Sequence, residues 1–217
     1  MTPLKIKICC IRTVEEANLA LSCGASALGL VSAMPSGPGV IDEDTITDII
    51  RHVPPGIATF LLTSLQNADA IIDQQHRCRP NTLQLVDTVA EPELIRLRHA
   101  LPGISLVQVI HVGGPDSIIV ACAIAPHVDA ILLDSGNQKL GIKELGGTGR
   151  THDWTLSRAI RERCGKPVFL AGGLRPENVR DAIDQVQPFG LDICSGVRTA
   201  GDLDESKLRA FFSAARQ

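Results

Sequence analysis

Apolar residues along this chain fall into short runs separated by amphipathic stretches. The runs are Leu4–Cys9, Ala27–Val31, Ile57–Leu62, Thr82–Val86, Ile104–Ile110, Ala130–Asp134, Pro167–Ala171 and Leu191–Cys194. Their length and their Ile, Leu and Val content predict β-strands. The stretches between them predict helices: Val14–Ser22, Glu43–Arg51, Ala68–Arg77, Glu91–Ala100, Pro115–Ala123, Thr155–Arg163, Pro176–Gln185 and Glu205–Ala214. Helix-start signals support the division. Thr13 stands three residues before Glu16, the spacing of a capping box. Pro92 and Pro176 mark first turns, where a missing amide proton costs nothing.

Strict alternation of strand and helix predicts a parallel sheet. Eight such units in 217 residues match a compact (β/α)8 TIM barrel, read as one domain over residues 1–217, since no linker or break in composition interrupts the chain. An open doubly wound sheet is the runner-up. It usually carries a glycine-rich dinucleotide turn after its first strand, and none follows Cys9.

In a barrel, alternate side chains face the interior and the helix layer. With Ile6 and Ile8 against the helices, Lys5, Lys7 and Cys9 point inward. Cys9 then stands at the C-terminal mouth of strand one, where barrel enzymes keep their chemistry. Inward lysines are expensive unless they serve an anion or a site. Asp134 closes the sixth strand in AILLDS, and partial desolvation there would raise its pKa toward that of a usable acid. Three glycine-rich stretches follow later strands: GGTGRTHDW (Gly146–Trp154), AGGLRPENV (Ala171–Val179) and CSGVR (Cys194–Arg198). Glycines let backbone amides approach an anion, and the loops after strands seven and eight often hold phosphate in this architecture.

Composition narrows the partners. The formal net charge is -3, which gives no footprint for nucleic acid or an anionic membrane. No apolar run approaches the roughly 20 residues of a membrane span, and the N-terminus does not read as a signal peptide, so the cytoplasm is the expected compartment. Hydrophobic residues make up 44% of the chain but aromatics only 3%, which predicts an aliphatic core. The seven cysteines and six histidines are scattered, with no CxxC, HxH or HExxH spacing, so no metal site is expected. Most of the thiols are expected to be reduced and buried. His111 and His152 are further polar candidates, with packing roles as the alternative.

Taken together, KICCIRTVEEA, GASALGLV, LLDS, GGTGRTHDW, AGGLRPENVRDAI and LDICSGVR resemble the phosphoribosylanthranilate isomerase family, from Lys5 to about Phe211 and most strongly from Gly146 to Val197. The resemblance implies an Amadori rearrangement of an N-(5-phosphoribosyl) amine, with no cofactor. It implies Cys9 as the general base and Asp134 as the general acid. A thiol is a usable base if a nearby cation lowers its pKa, and the inward Lys7 is placed to do that. The phosphate would rest on the loops carrying Gly147, Gly149, Gly172, Gly173, Ser195 and Gly196. The inward Lys7 is a further polar contact, and Asp192, inside strand eight two residues before Cys194, either faces the pocket as a polar contact to substrate or has a structural role.

The chain also departs from the family's pattern. Cys10 replaces a glycine, and Arg12 stands where threonine is common. The loop MPSGPGVI, Met34 to Ile41, lacks an arginine that would hold the anthranilate carboxylate; Pro38 or a neighbouring glycine takes its place. Val86 replaces a histidine, Arg198 replaces a glutamate, and the longer loop after Asp134 brings Lys139 and Lys143. Arg12, Lys139, Lys143 or Arg198 could supply the missing cation. The alternatives are a homologue acting on another phosphoribosyl amine or sugar phosphate, or a non-catalytic phosphate-binding barrel. A monomer and a homodimer are both compatible with the sequence.

Overall fold

A computed structural model describes residues 3–136 and 149–216. Its barrel strands are β1 (Lys5–Ile8), β2 (Ala27–Val31), β3 (Ala58–Thr63), β4 (Thr82–Leu85), β5 (Ser105–His111), β6 (Ala130–Asp134), β7 (Val168–Leu170) and β8 (Gly190–Ile193). The helices that follow them are α1 (Val14–Cys23), α2 (Glu43–His52), α3 (Ala68–Cys78), α4 (Glu91–Ala100), α5 (Asp116–Ile124), α6 (Trp154–Cys164), α7 (Val179–Val186) and α8 (Glu205–Arg216). The strands run parallel in sequence order and close into a barrel through β1 and β8, where Lys7 pairs with Asp192 and Ile8 with Ile193.

Closure produces two cores. Ile6, Ile8, Leu28, Leu30, Ile131 and Leu133 pack outward against the helices. The other parity, including Cys9, Val31, Phe60, Val107, Leu132 and Phe169, fills the interior. Lys7 shares that inward parity and is wholly buried. Its Nζ lies 2.8 Å from an Asp192 carboxylate oxygen and 5.1 Å from the centre of the Phe60 ring. Both charges are thus shielded from water but paired, the condition under which a buried cation is tolerated. Gly29 makes the room: a Cβ there would stand 2.8 Å from Cys9 Sγ and 3.0 Å from Lys7 Nζ.

Two local signals play out differently from their sequence reading. Thr13 does cap α1, accepting from the Glu16 amide at 3.2 Å. The Glu16 carboxylate, however, accepts from the Arg12 amide and the Arg198 guanidinium instead of closing the box on Thr13. A buried guanidinium is a stronger partner than an exposed amide. Helix α7 starts at Val179, three residues after Pro176. Asn178 folds residues 175–178 into a turn, accepting from the Arg175 amide at 2.9 Å and donating to the Gly173 carbonyl at 3.0 Å. That turn fixes the position of the Gly172–Gly173 pair.

Candidate functional site

A cleft of about 70 Å³ opens at the C-terminal end of the strands. Cys9 from the end of β1 and Asp134 from the end of β6 both line it, as do Gln84 of β4 and Asp192 of β8. The parity of each strand explains the arrangement. Cys9 follows the inward Lys7, Asp134 follows the inward Ala130 and Leu132, and Asp192 lies two residues before the inward Cys194.

Asp134 is 8% exposed. One of its oxygens accepts from the Ser135 amide at 2.7 Å. Burial pushes its pKa above the ordinary carboxylate range; the Ser135 amide and the positive charge available on His111 pull the other way without reversing the shift. His111 is Asp134's partner across the β5–β6 ladder and directs Nε2 to the Val86 carbonyl at 3.1 Å. Lys7 is the opposite case. Burial alone would lower its pKa, but the Asp192 carboxylate and the neighbouring thiols of Cys9 and Cys10 outweigh it and hold the ammonium charged. Lys7 lies beneath the cleft, beside Cys9, and does not line it.

Three loops converge on the side of the cleft opposite β3 and β4. Gly172 and Gly173 both take positive φ, 83° and 63°. A Cβ on Gly172 would stand 3.2 Å from an Asp134 oxygen, and one on Gly173 would stand 2.7 Å from the Arg150 carbonyl carbon, so the β7 loop is wedged against the β6 loop. Gly149 faces Ser195 Oγ at 3.8 Å from its own would-be Cβ. Ser195 opens a single 3-10 turn, Ser195–Val197, and the first amides of such a turn have no acceptor within it. Gly149, Gly172, Gly173 and Ser195 line the cleft; Gly196 packs against the Leu174 carbonyl just behind. Gly147, Lys139 and Lys143 lie outside the described residues.

The candidate cations Arg12 and Arg198 are already engaged. Arg198 donates to Glu16 at 2.8 Å and to the Cys10 carbonyl at 2.5 Å, and its side chain is 8% exposed. Arg12 donates to Asp202 at 2.6 Å and to Glu16 at 3.4 Å. Both line a second hollow that shares Cys10, Pro38, Cys194 and Ser195 with the main cleft. Among the described residues, no lysine or arginine lines the main cleft, and the Met34–Pro38 loop borders it with Met34, Ser36, Gly37 and Pro38. Val86 is buried in the interior. His152 hydrogen-bonds Ser157 Oγ at 2.6 Å, and burial lowers its pKa to about 4, so it is a neutral packing group outside the cleft. Gln84 was not among the residues singled out from sequence. Its Oε1 is buried, without a protein partner, in the wall of the cleft. Only its inward parity in β4 could have flagged it. No group of three or more potential metal ligands occurs among the described residues.

Such a barrel, with a thiol and a desolvated carboxyl sharing one glycine-rimmed cleft, defines an acid–base enzyme for a small anionic substrate. The family model described as N-(5'phosphoribosyl)anthranilate (PRA) isomerase matches residues 6–214. The N-(5'-phosphoribosyl)anthranilate isomerase 2 of Methanosarcina mazei is 37% identical over 98% of this chain and 94% of its own length. The phosphoribosyl anthranilate isomerase structure from Thermotoga maritima superposes with a TM-score of 0.84 at 28% identity, covering 99% of both chains. A further isomerase structure, in complex with reduced 1-(o-carboxyphenylamino)-1-deoxyribulose 5-phosphate, gives a TM-score of 0.82 at 26% identity and 99% coverage of both chains. The chain belongs to the phosphoribosylanthranilate isomerase family. No helix among the described residues is long and apolar enough to cross a membrane.

Proposed function

We propose that this chain, acting over residues 1–217 as one barrel domain, isomerises phosphoribosylanthranilate to the aminoketose phosphate in tryptophan biosynthesis. The observation that carries the proposal is the shared cleft of Cys9 and Asp134, with burial raising the Asp134 pKa above the ordinary carboxylate range. Family membership and the ligand of the related complex, which joins a pentulose phosphate to a carboxyphenylamino group, support the same substrate.

Asp134, in its protonated form, donates to the furanose ring oxygen. The C1'–O bond breaks as the amine nitrogen's electron pair forms the Schiff base. Cys9, as thiolate, takes the C2' proton, and the bonding pair moves to make an enaminol. Tautomerisation gives the ketone at C2' and a methylene at C1', so the net change is an isomerisation. The amides around Gly172, Gly173, Ser195 and Gly196, with those of Gly147 and Gly149, hold the 5'-phosphate. Asp192 meets a sugar hydroxyl from the floor, and Lys7 supplies a fixed positive charge beneath Cys9. The reaction as drawn uses these side chains alone and no cofactor. The enzyme works in the cytoplasm, as a monomer or homodimer.

Turnover of freshly generated phosphoribosylanthranilate, followed by loss of its fluorescence, tests this reading. A folded protein that binds inorganic phosphate but leaves the substrate unchanged sinks it. The β2–α2 loop favours a second reading in which the amine carries no carboxylate, because Pro38 borders the cleft without a cation. Pro38→Arg tests whether the cleft lacks a partner for a substrate carboxylate. On the first reading a new charge-assisted contact lowers KM about tenfold with kcat little changed. An unchanged KM means that another cation already holds the carboxylate or that none is present in the natural substrate.

A further inference from the structure

Two thiols meet at the mouth of the barrel where the family pattern has a glycine after the base. Cys10 follows Cys9 at the end of β1, and Cys194 precedes Ser195 at the end of β8. Their Sγ atoms lie 2.7 Å apart. Barrel closure holds the two backbones together: Ile8 pairs with Ile193, and the Cys9 amide donates to the Ile193 carbonyl at 2.8 Å. Cys10 also takes φ +62°, a left-handed conformation that favours glycine. Arg198 clamps its carbonyl at 2.5 Å and so keeps the Cys10 side chain turned to its partner. Both cysteines line the main cleft and the neighbouring hollow, which gives a small oxidant two routes in.

We propose that Cys10 and Cys194 form a reversible disulfide that ties the loop of the proposed base to the proposed phosphate loop and turns catalysis down. The oxidant is a low-molecular-weight disulfide. The Cys194 thiolate attacks one of its sulfurs and expels one thiolate. Cys10 then attacks the mixed disulfide and expels the second. Two protein thiols are oxidised, one external disulfide is reduced to two thiols, and the two protein protons pass to the leaving thiolates. Cys194 suits the first role: the Cys10 hydrogen bond outweighs burial, and the Arg198 charge adds to it, so its pKa is lowered while that of Cys10 is raised. Bonding draws Cys10 and Cys194 together, and each is covalently joined to a residue of the proposed site, Cys9 or Ser195. A shift of more than about 0.5 Å takes a reacting group out of its productive geometry and slows turnover.

A second pair has to be removed from the assay, because Cys122 Sγ of α5 lies 3.2 Å from Cys164 Sγ of α6. The experiment therefore uses the full chain with Cys122→Ser. The protein is incubated with oxidised glutathione, its free thiols are alkylated, and the peptides are mapped by mass. The expected result is a linked Cys10–Cys194 peptide and at least a tenfold loss of turnover, both reversed by dithiothreitol. Cys194→Ser and Cys10→Gly give no link and keep their turnover under the same oxidant. Absence of the linked peptide overturns the proposal. So does a linked protein with unaltered turnover, or an equal loss in Cys194→Ser through glutathione attached to Cys9. The loss of turnover rests on the function proposed above, but the link is read by mass. A reduced protein that never turns over the substrate would refute that function while the peptide map still decides the disulfide.

Discussion

Asp134→Asn is expected to lower kcat by about 10²–10⁴-fold, the range for loss of a positioned general acid, while phosphate affinity stays within a few-fold of wild type. Cys9→Ala should fall in the same range, because each group serves a different proton transfer. The acid's opposite effect on stability sharpens this test. Burial raises the Asp134 pKa in the folded state above its unfolded value. The folded protein therefore holds that proton more tightly, and stability is lost as pH rises through the ordinary carboxylate range and on to the folded pKa. Asparagine removes the ionisation, so Asp134→Asn should be at least as stable as wild type at pH 7 by urea denaturation. A variant that is inactive because it is unfolded would fail this control. Near-normal turnover in both variants would refute the assigned roles.

Lys7→Met and Asp192→Leu should each destabilise the fold by about 3–5 kcal/mol, because either one leaves an uncompensated charge in the barrel interior. The pair is shielded on both sides: Lys7 is fully buried and the Asp192 side chain is 8% exposed. The double variant Lys7→Met/Asp192→Leu removes both charges and should recover most of that loss, since hydrophobic replacement of a buried pair is often neutral or stabilising. Its turnover should stay low, because the charge beneath Cys9 and the carboxylate in the cleft are both gone. Urea midpoints and kcat for the three proteins check this. Single variants within 1 kcal/mol of wild type would mean that the interior admits enough water to solvate the remaining charge. Full turnover in the double variant would reduce the pair to a packing element.

Local periodicity carried much of this molecule. The alternation of apolar and polar positions determined eight strands, eight helices and the inward face of β1, because a strand's period of two can be read without knowing its neighbours. Asp134 and the glycines after β7 and β8 stood out for the same reason: strand ends and glycine-rich turns are local features. The boundaries of α7 were less legible, since Pro176 signals a helix start but the Asn178 contact with Gly173 takes those residues into a turn. Partners across the barrel were not legible at all. Lys7 meets Asp192 only because β1 closes on β8, 185 residues away in sequence. The same closure brings Cys10 to Cys194 and lets Arg198 reach Glu16 and the Cys10 carbonyl. It is also the inward register of β4 that turns Gln84 to the cleft with an unpaired oxygen. A residue's type and spacing set which face it occupies; strand order and register decide which distant charge, thiol or carbonyl shares that face, and so whether a buried lysine is a site, a strut or both.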